Sequence, residues 1–537
     1  MTPDISTGIS KGWEHHDASL LERDMVIEAD VAVIGTGAGG GLSAEIFAKS
    51  GLKVVMIEEG PLKTYRDFHL LESEAYPQLY QESASRKTKD KGIEFLQGRC
   101  VGGSTTVNWT TSIRTPIQTL EYWRDIYDFK GYGMSEIVPW FELAEERFNV
   151  TSWDIPPNEN NDVLRRGAEK LGISFDFMKR NVKKCLNIGY CGLGCPVSAR
   201  QSVDVTSIPS AMEKGAILLS RARAERLNIN GGKVKSVTCV GMDRFGTAPG
   251  KHKVTVVARE FVLSGGAIGT PALLLRSKAP DPHAIIGKRT FLHPVSISIA
   301  QMPDRVDGWS GAPQSVYSDH FNFVNDGRME YKLEMAPVHP VLAATKITGY
   351  GKRHKEHMKN LPYAQVIIAL NKDGFQRESP GGCVELNRDG TPVLNYPITE
   401  YLWDGLRRSL LTSAEIQFAA GAKMVLPLHE DSFGYRSWSE AKNEIPKLEM
   451  STLRARVASA HAMGGCPMGA SEKTSLLDFN GKYRYLDNLH VFDGSIYPTS
   501  IGANPQLTIF AFTMKQASSL VGSTVGVEQS RINKRQT

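Results

Sequence analysis

No apolar run in this sequence reaches 18 residues, so no segment reads as a membrane-spanning helix. The stretch 1–23 has no basic start followed by an apolar core; it carries Asp4, Glu14, His15, His16 and Asp17 instead, so no secretory signal is expected. A strong excess of one charge is also missing. The 63 basic and 58 acidic residues leave +5, too little to argue for a nucleic-acid partner. Cysteine is sparse: seven residues, an odd number, expected to be reduced thiols where no signal directs export. The compartment therefore reads as cytoplasmic, with peripheral membrane contact left open. No repeat of fixed period and no low-complexity tract occurs.

What the chain does have is glycine, 50 residues that cluster in motifs, and a length of 537 that calls for two or three domains. The motif that organises the rest lies between Ala29 and Gly60. Val31 to Ile34 is a short uncharged β-branched run, as a buried parallel strand requires. It runs into Gly35-Thr-Gly37-Ala38-Gly39-Gly40. Gly35 suits the tight turn, Gly37 a close approach of backbone to pyrophosphate, and Gly40 close helix–strand packing. A helix over about Gly40 to Ser50 aims its positive end at the phosphates, and Ala38 and Gly39 in the turn before it count with the cofactor-binding residues. A second strand, Lys53 to Ile57, ends at Glu58, 18 residues after Gly40, where a carboxylate accepts ribose hydroxyls and repels a 2′-phosphate. NADP is thereby disfavoured; the motif alone does not separate FAD from NAD.

Residues 61–95 are polar and carry the basic run Arg86 to Lys91, which reads as a solvated excursion. Gly102-Gly103-Ser104-Thr105 follows, a backbone nest with hydroxyl donors suited to an anion. From 117 to 205 aromatic and acidic residues dominate, with helical periodicity over Ser135 to Phe148. Trp123, Tyr127, Tyr132, Trp140 and Phe141 motivate an apolar pocket, although aromatics at helical spacing are ordinarily core. Strands are expected at Ala216–Leu219, Lys233–Met242 and Lys253–Leu263. The last runs into a second glycine turn around Gly266 and a helix over Ala272 to Ser277. Residues 300–450 alternate like an antiparallel sheet, as in Ala364–Leu370 and Gly382–Leu386, with a hairpin turn at Arg388-Asp-Gly390 and a helix near Tyr401–Ala420.

The densest motifs come last. A strand ends at Asp493-Gly494, where carboxylate and backbone can meet a phosphate or ribityl chain. A loop then leads to Asn504, Pro505 and Gln506. Pro505 suits a first helical residue, and a helix over Gln506–Gly522 would point its positive end at whatever Asn504 faces. Asn504 could equally serve only as the helix cap.

The βαβ unit, the stretch Gly102 to Asn108, Gly266 to Ser277, His461 to Gly469 and Asp493 to Asn504 together resemble the glucose–methanol–choline (GMC) oxidoreductases, in the same order and over nearly the whole chain. Within them the chain resembles long-chain alcohol oxidases and the larger cholesterol oxidases, through Cys191-Gly-Leu-Gly-Cys195-Pro-Val-Ser-Ala-Arg-Gln-Ser202. The resemblance implies an α/β fold of two domains: a Rossmann-like FAD-binding domain (25–116, 206–299, 455–537) and a substrate cap with helices and an antiparallel sheet (117–205, 300–454). It implies alcohol oxidation by hydride transfer to flavin N5, with oxygen, a quinone or a cytochrome reoxidising the flavin. His461 matches the catalytic histidine, Asn504 its partner, and Asn108 an asparagine at the flavin's reactive edge. Val107 lies where some members carry the histidine that bonds FAD covalently, so noncovalent FAD is expected. Two departures stand out: Gly465-Cys466-Pro467 for the usual Thr-Cys-Arg, and Lys278 for a glycine.

The chemistry suits these residue types in their own right. An alcohol C–H becomes a good hydride donor once the O–H proton leaves, and an imidazole, with an unperturbed pKa of roughly 6.5, is a base matched to that task. An amide donates to the same oxygen and fixes it. The expected substrate is a primary alcohol with an apolar or aromatic body, and a sterol is the second choice. Cys185, Cys191 and Cys195 offer another route, an iron–sulfur cluster relaying electrons in a dehydrogenase, against a reading as a loop of reduced thiols. A flavoprotein kept only for binding, and an NAD enzyme, complete the alternatives.

Overall fold

The computed structural model describes residues 3–535, with side chains through residue 523. Its larger sheet has eight strands. The path runs His15–Asp17, Ile217–Ser220, Val54–Ile57, Met25–Ile34, Pro249–Leu263, Lys233–Met242 and Ala222–Asn230, and Leu489–Val491 pairs with Pro249–Leu263. The pairings Ile34↔Ile57, Leu263↔Ile34 and Leu263↔Val491 are parallel and in register. Four strand ends therefore lie at one edge, where Gly35, Glu58, Ser264 and Phe492 follow. Their residues are apolar and buried, with helices packed on the sheet and the strands Ala222–Asn230 and Lys233–Met242 contributing Leu227, Val234 and Val237 to the same core. The helix Ala38–Lys49 packs there with Gln506–Arg535 and Ser207–Glu213.

The expected strands and the helix over Met134–Arg147 are present, as are the hairpin at 388–390 and the helix Glu400–Ala419. Two readings need correction, and the ordinary reading of the aromatic group as core holds. The helix placed at Ala272 begins at Gly266, because Asp493 accepts hydrogen bonds from the Gly266 N–H (2.9 Å) and the Thr270 hydroxyl (2.6 Å) and organises its first turns. The polar excursion 61–95 is structured: it contains the helix Glu72–Leu79 and the strand Ile93–Phe95, and Arg86 is buried against Gln97 (2.8 Å) and Glu82 (2.9 Å). Its lysines do face solvent, as expected: Lys87, Lys89 and Lys91 are exposed, Lys89 pairing with Glu385 at 2.7 Å on the surface. The aromatic group at 123–141 is core. Trp123 stacks on Tyr497 with centroids 5.5 Å apart and donates to Thr499 Oγ1 at 2.6 Å, and none of the five residues reaches the cavity described below.

A second sheet of six strands runs Tyr331–Met335, Ala364–Asn371, Val295–Gln301, Val457–Ser459 and Ile93–Phe95, with Met424–Pro427 also paired to Val295–Gln301. Its long strands have two apolar faces. Ile367 and Ala369 pack with Leu164 and Ile416, while Val366, Ile368 and Leu370 point the other way with Val295 and Val338. Among the described residues no helix is long and apolar enough to cross a membrane.

Candidate active site

Two glycine turns face one another at the edge of the large sheet. Gly35 has φ +97°, and a Cβ there would sit 2.3 Å from the Ser264 carbonyl oxygen. A Cβ on Gly103 would lie 2.8 Å from Gly37 Cα. Gly40 packs on the Gly35 carbonyl and Gly39 on that of Phe492. Thr36 ties the turns together: it donates from backbone (3.0 Å) and hydroxyl (2.6 Å) to Glu58 Oε2 and accepts the Gly102 N–H at 3.1 Å. Glu58 also takes the Gly60 N–H at 2.9 Å, so its first task is to hold the turn, with lone pairs left over for a ligand. The helix Ala38–Lys49 has no side-chain cap, which leaves its first N–H groups for an anion. Ser104 accepts the Gly98 N–H at 2.9 Å, and Thr105 donates to the Gly102 carbonyl at 2.7 Å.

These elements line a cavity of about 880 Å³. Its wall includes every expected cofactor-binding and catalytic residue except Gly40 and Gly102, which shape the turns from behind; Gly465, Cys466 and Pro467 do not reach it. Asp493 is saturated, since Ser495 donates to its other oxygen from backbone (2.8 Å) and hydroxyl (2.5 Å). It pins strand to helix, and burial raises its carboxyl. Gly494 comes next, facing the Ala462 carbonyl. Gln506 accepts from the Asn108 amide and donates to Asn181 at 3.2 Å. Pro505 stands just before the helix, its carbonyl accepting the Ile509 N–H at 3.0 Å. Val107 is buried, with a side chain that has no nucleophile.

His461 and Asn504, 43 positions apart, meet at the cavity: His461 Nε2 lies 3.4 Å from Asn504 Nδ2. Asn504 does not cap its helix through its side chain. Nδ2 donates to Glu334 at 3.2 Å, and Oδ1 is buried with no hydrogen-bond partner. On the other side, His461 Nδ1 is 3.1 Å from His293 Nδ1, and His293 Nε2 accepts the Gly502 N–H at 3.1 Å. Burial, helped by the Lys332 ammonium, lowers His461 to about 4, so it is neutral at physiological pH. His293 is lowered too, by burial first and then by His461. Glu334 takes a 2.5 Å hydrogen bond from Gln314, which in turn accepts from Thr111 at 2.7 Å. Its other oxygen has no partner, and burial raises this carboxyl to about 7. His293, Lys332, Glu334 and Gln314 were not singled out from the sequence.

Beyond the pair the cavity turns aliphatic, with Val295, Ile297, Ile299, Val366, Ile368 and Leu370 from two paired strands. The three cysteines have separate partners: Cys185 with Asn187 N (3.4 Å), Cys191 with Arg180 (3.7 Å) and Cys195 with Ala199 N (3.3 Å). Among the described residues no group of three or more His, Cys, Asp or Glu is arranged to hold a metal ion.

The GMC oxidoreductase family model matches residues 76–295 and 378–513. A long-chain-alcohol oxidase of Arabidopsis thaliana (FAO4B) is 31% identical over 527 residues, covering 93% of this chain and 68% of the plant protein. A second from that plant (FAO1) is 28% identical, covering 91% and 66%, so the chain spans about two thirds of their length. An uncharacterized GMC-type oxidoreductase (y4nJ) of Sinorhizobium fredii is 28% identical, covering 93% of this chain and 96% of its own. Among solved structures, Aspergillus oryzae RIB40 formate oxidase superposes with TM-score 0.69 at 15% identity, covering 93% of this chain and 99% of that one. Pyridoxine 4-oxidase from Mesorbium loti superposes at 0.65 and 18%, covering 91% and 98%, and these two likenesses bear on fold. With two facing glycine turns and a helix start free for phosphates, the cavity fits the dinucleotide these relatives imply. The chain belongs to the GMC oxidoreductase family, FAD-dependent enzymes that oxidise CH–OH groups.

Proposed function

We propose that this protein oxidises a primary alcohol with a long apolar or aromatic body to the aldehyde, with noncovalently held FAD. The observation that carries the reading is the His461–Asn504 pair set where the polar cradle meets the aliphatic part of one cavity. FAD, when bound, supplies the hydride acceptor. The chain's own residues do the rest. Gly35 to Gly40, Glu58, Gly102 to Thr105, Asn108 and Gln506 hold the cofactor. The aliphatic strands desolvate the substrate body and leave its hydroxyl to the polar groups at the junction, His461 and Asn504 among them. Asn504 donates to the hydroxyl oxygen, and His461 takes its proton.

That step needs a lone pair on His461 Nε2, hence a proton on Nδ1 shared with His293. The Gly502 N–H favours the opposite arrangement, with the shared proton owned by His293. An incoming hydroxyl is a donor at Nε2, and its hydrogen bond favours the reactive arrangement over the resting one, while the Asn504 amide divides its two N–H groups between Glu334 and the hydroxyl oxygen.

The proposed division assigns 25–116, 206–299 and 455–537 to cofactor and 117–205 and 300–454 to the cap; residues 536–537 lie outside the described residues. In its support, no strand of the eight-stranded sheet comes from 117–205 or 300–454; the six-stranded sheet takes three strands from 300–454 and shares the rest. The test is anaerobic addition of straight-chain primary alcohols to the purified yellow protein. Bleaching that strengthens with chain length supports the reading, and a flavin that no alcohol reduces sinks it. The same panel run with oxygen and then with a quinone or cytochrome identifies the acceptor.

A further inference from the structure

The helical hairpin Pro340–Lys346 and Gly351–Lys359 has no part in the chemistry above. Neither helix contains a buried residue. The first contributes Leu342, Ala343 and Lys346 to the cavity wall. It is fastened from outside the hairpin by the Glu72 carboxylate, which accepts the N–H groups of Val341 (2.7 Å) and Leu342 (2.8 Å). One helix thus separates the aliphatic cavity from solvent here.

The outer side of this wall is unusual for a surface. Tyr350, between Gly349 (φ +90°) and Gly351 (φ +60°), is 92% exposed. Phe433 is 73% exposed, with the Arg353 guanidinium 4.4 Å from its ring centre. Val341 adds a third exposed apolar side chain. The second helix carries Lys352, Arg353, Lys355 and Lys359 against a single acid, Glu356. The acids beside Phe433 are answered, Glu430 by Arg456 at 2.6 Å and Asp431 by Arg454. In a chain whose whole net charge is +5, this is a local concentration of cations around outward-pointing aromatic rings.

We infer that this hairpin docks the protein on an anionic lipid bilayer, with Tyr350 and Phe433 at headgroup depth and the lysines against lipid phosphates. Aromatic rings with a polar or cationic edge settle at that level, and basic side chains add attraction that falls off within a Debye length. A soluble acidic protein would satisfy the lysines but gives no reason for the aromatic tips; a bilayer uses both. The docked pose sets the thin wall of the cavity against the phase in which an apolar alcohol dissolves. That consequence rests on the substrate class proposed above; the docking itself does not.

The experiment is co-sedimentation of the FAD-loaded full chain with vesicles of phosphatidylcholine alone and of phosphatidylcholine with phosphatidylglycerol. Binding to the anionic vesicles, released by high salt, is expected. Lys352→Glu with Lys355→Glu should weaken it by about 20-fold or more, and Tyr350→Ser should weaken it at every salt concentration. Flavin content and oxidation of a short water-soluble alcohol serve as controls and should stay unchanged. Equal partition to neutral vesicles, or no binding, overturns the proposal. So does unaltered binding of the charge-reversed variant, and so does a Tyr350-dependent self-association in place of vesicle binding. A protein that binds vesicles yet oxidises no alcohol keeps the docking inference and loses the substrate reading.

Discussion

Replacing Glu334 by glutamine asks what a buried carboxyl beside His461 and Asn504 does to the fold. The group is fully enclosed, and only one of its oxygens is hydrogen-bonded. Lost hydration outweighs the Lys332 ammonium and holds it up at about 7, from an ordinary 4.5. Because the folded value is raised, the stabilising contribution is complete below pH 4.5 and is lost as the pH climbs through 7. At 1.36 kcal/mol per pH unit, the anion destabilises the fold by about 3 kcal/mol at pH 8. Glutamine keeps the shape and cannot ionise, at the risk of one weakened hydrogen bond worth about 1 kcal/mol. Denaturant unfolding followed by tryptophan fluorescence should therefore find the variant less stable by about 1 kcal/mol near pH 4. At pH 8 the variant should be more stable by about 2 kcal/mol. His461 contributes a pH dependence of opposite sign, but it is common to both proteins and cancels in the difference. Parallel curves for parent and variant across this range would refute the buried-anion account.

His461→Ala should slow anaerobic flavin reduction by about 10²–10⁴-fold with FAD still bound, read by stopped flow. His461 is lowered to about 4, so its contribution is present above pH 6.5 and is lost as the pH falls toward 4. His461→Gln should flatten that part of the stability curve, measured by denaturation in acid. Gly103→Ala puts a methyl 2.8 Å from Gly37 Cα at φ +54°, and should purify with less flavin by absorbance ratio. Ile368→Trp fills the aliphatic part of the cavity, and kcat/KM across a chain-length series should shift toward shorter alcohols. Iron analysis of anaerobically prepared protein should find none on Cys185, Cys191 and Cys195; stoichiometric iron would restore the relay reading.

Steric necessity made part of this structure legible in the sequence. Gly35 and Gly39 stand where any Cβ would collide with a backbone carbonyl, so the nucleotide turn leaves a one-letter trace. His461 and Asn504 were visible through the motifs around them. Glu334 and Lys332 were not. Tyr331-Lys332-Leu333-Glu334-Met335 alternates as a half-exposed strand would, and only packing by distant segments buries both of its faces. His293 gave no pattern either: its meaning is a ring 168 positions away. The start of the helix at Gly266 was hidden for the same reason, because the group that organises it, Asp493, lies 227 residues further on.

The proposed reactive pair hangs from two different sheets. His461 follows the strand Val457–Ser459 of the six-stranded sheet, while Asn504 follows the strand Leu489–Val491 of the eight-stranded one. The gap between imidazole and amide is therefore a gauge of how the two layers are set. A small tilt anywhere along their contact, from a distant substitution or a bound molecule, reaches the reactive oxygen as a change in spacing, so activity can drift while every local contact stays intact.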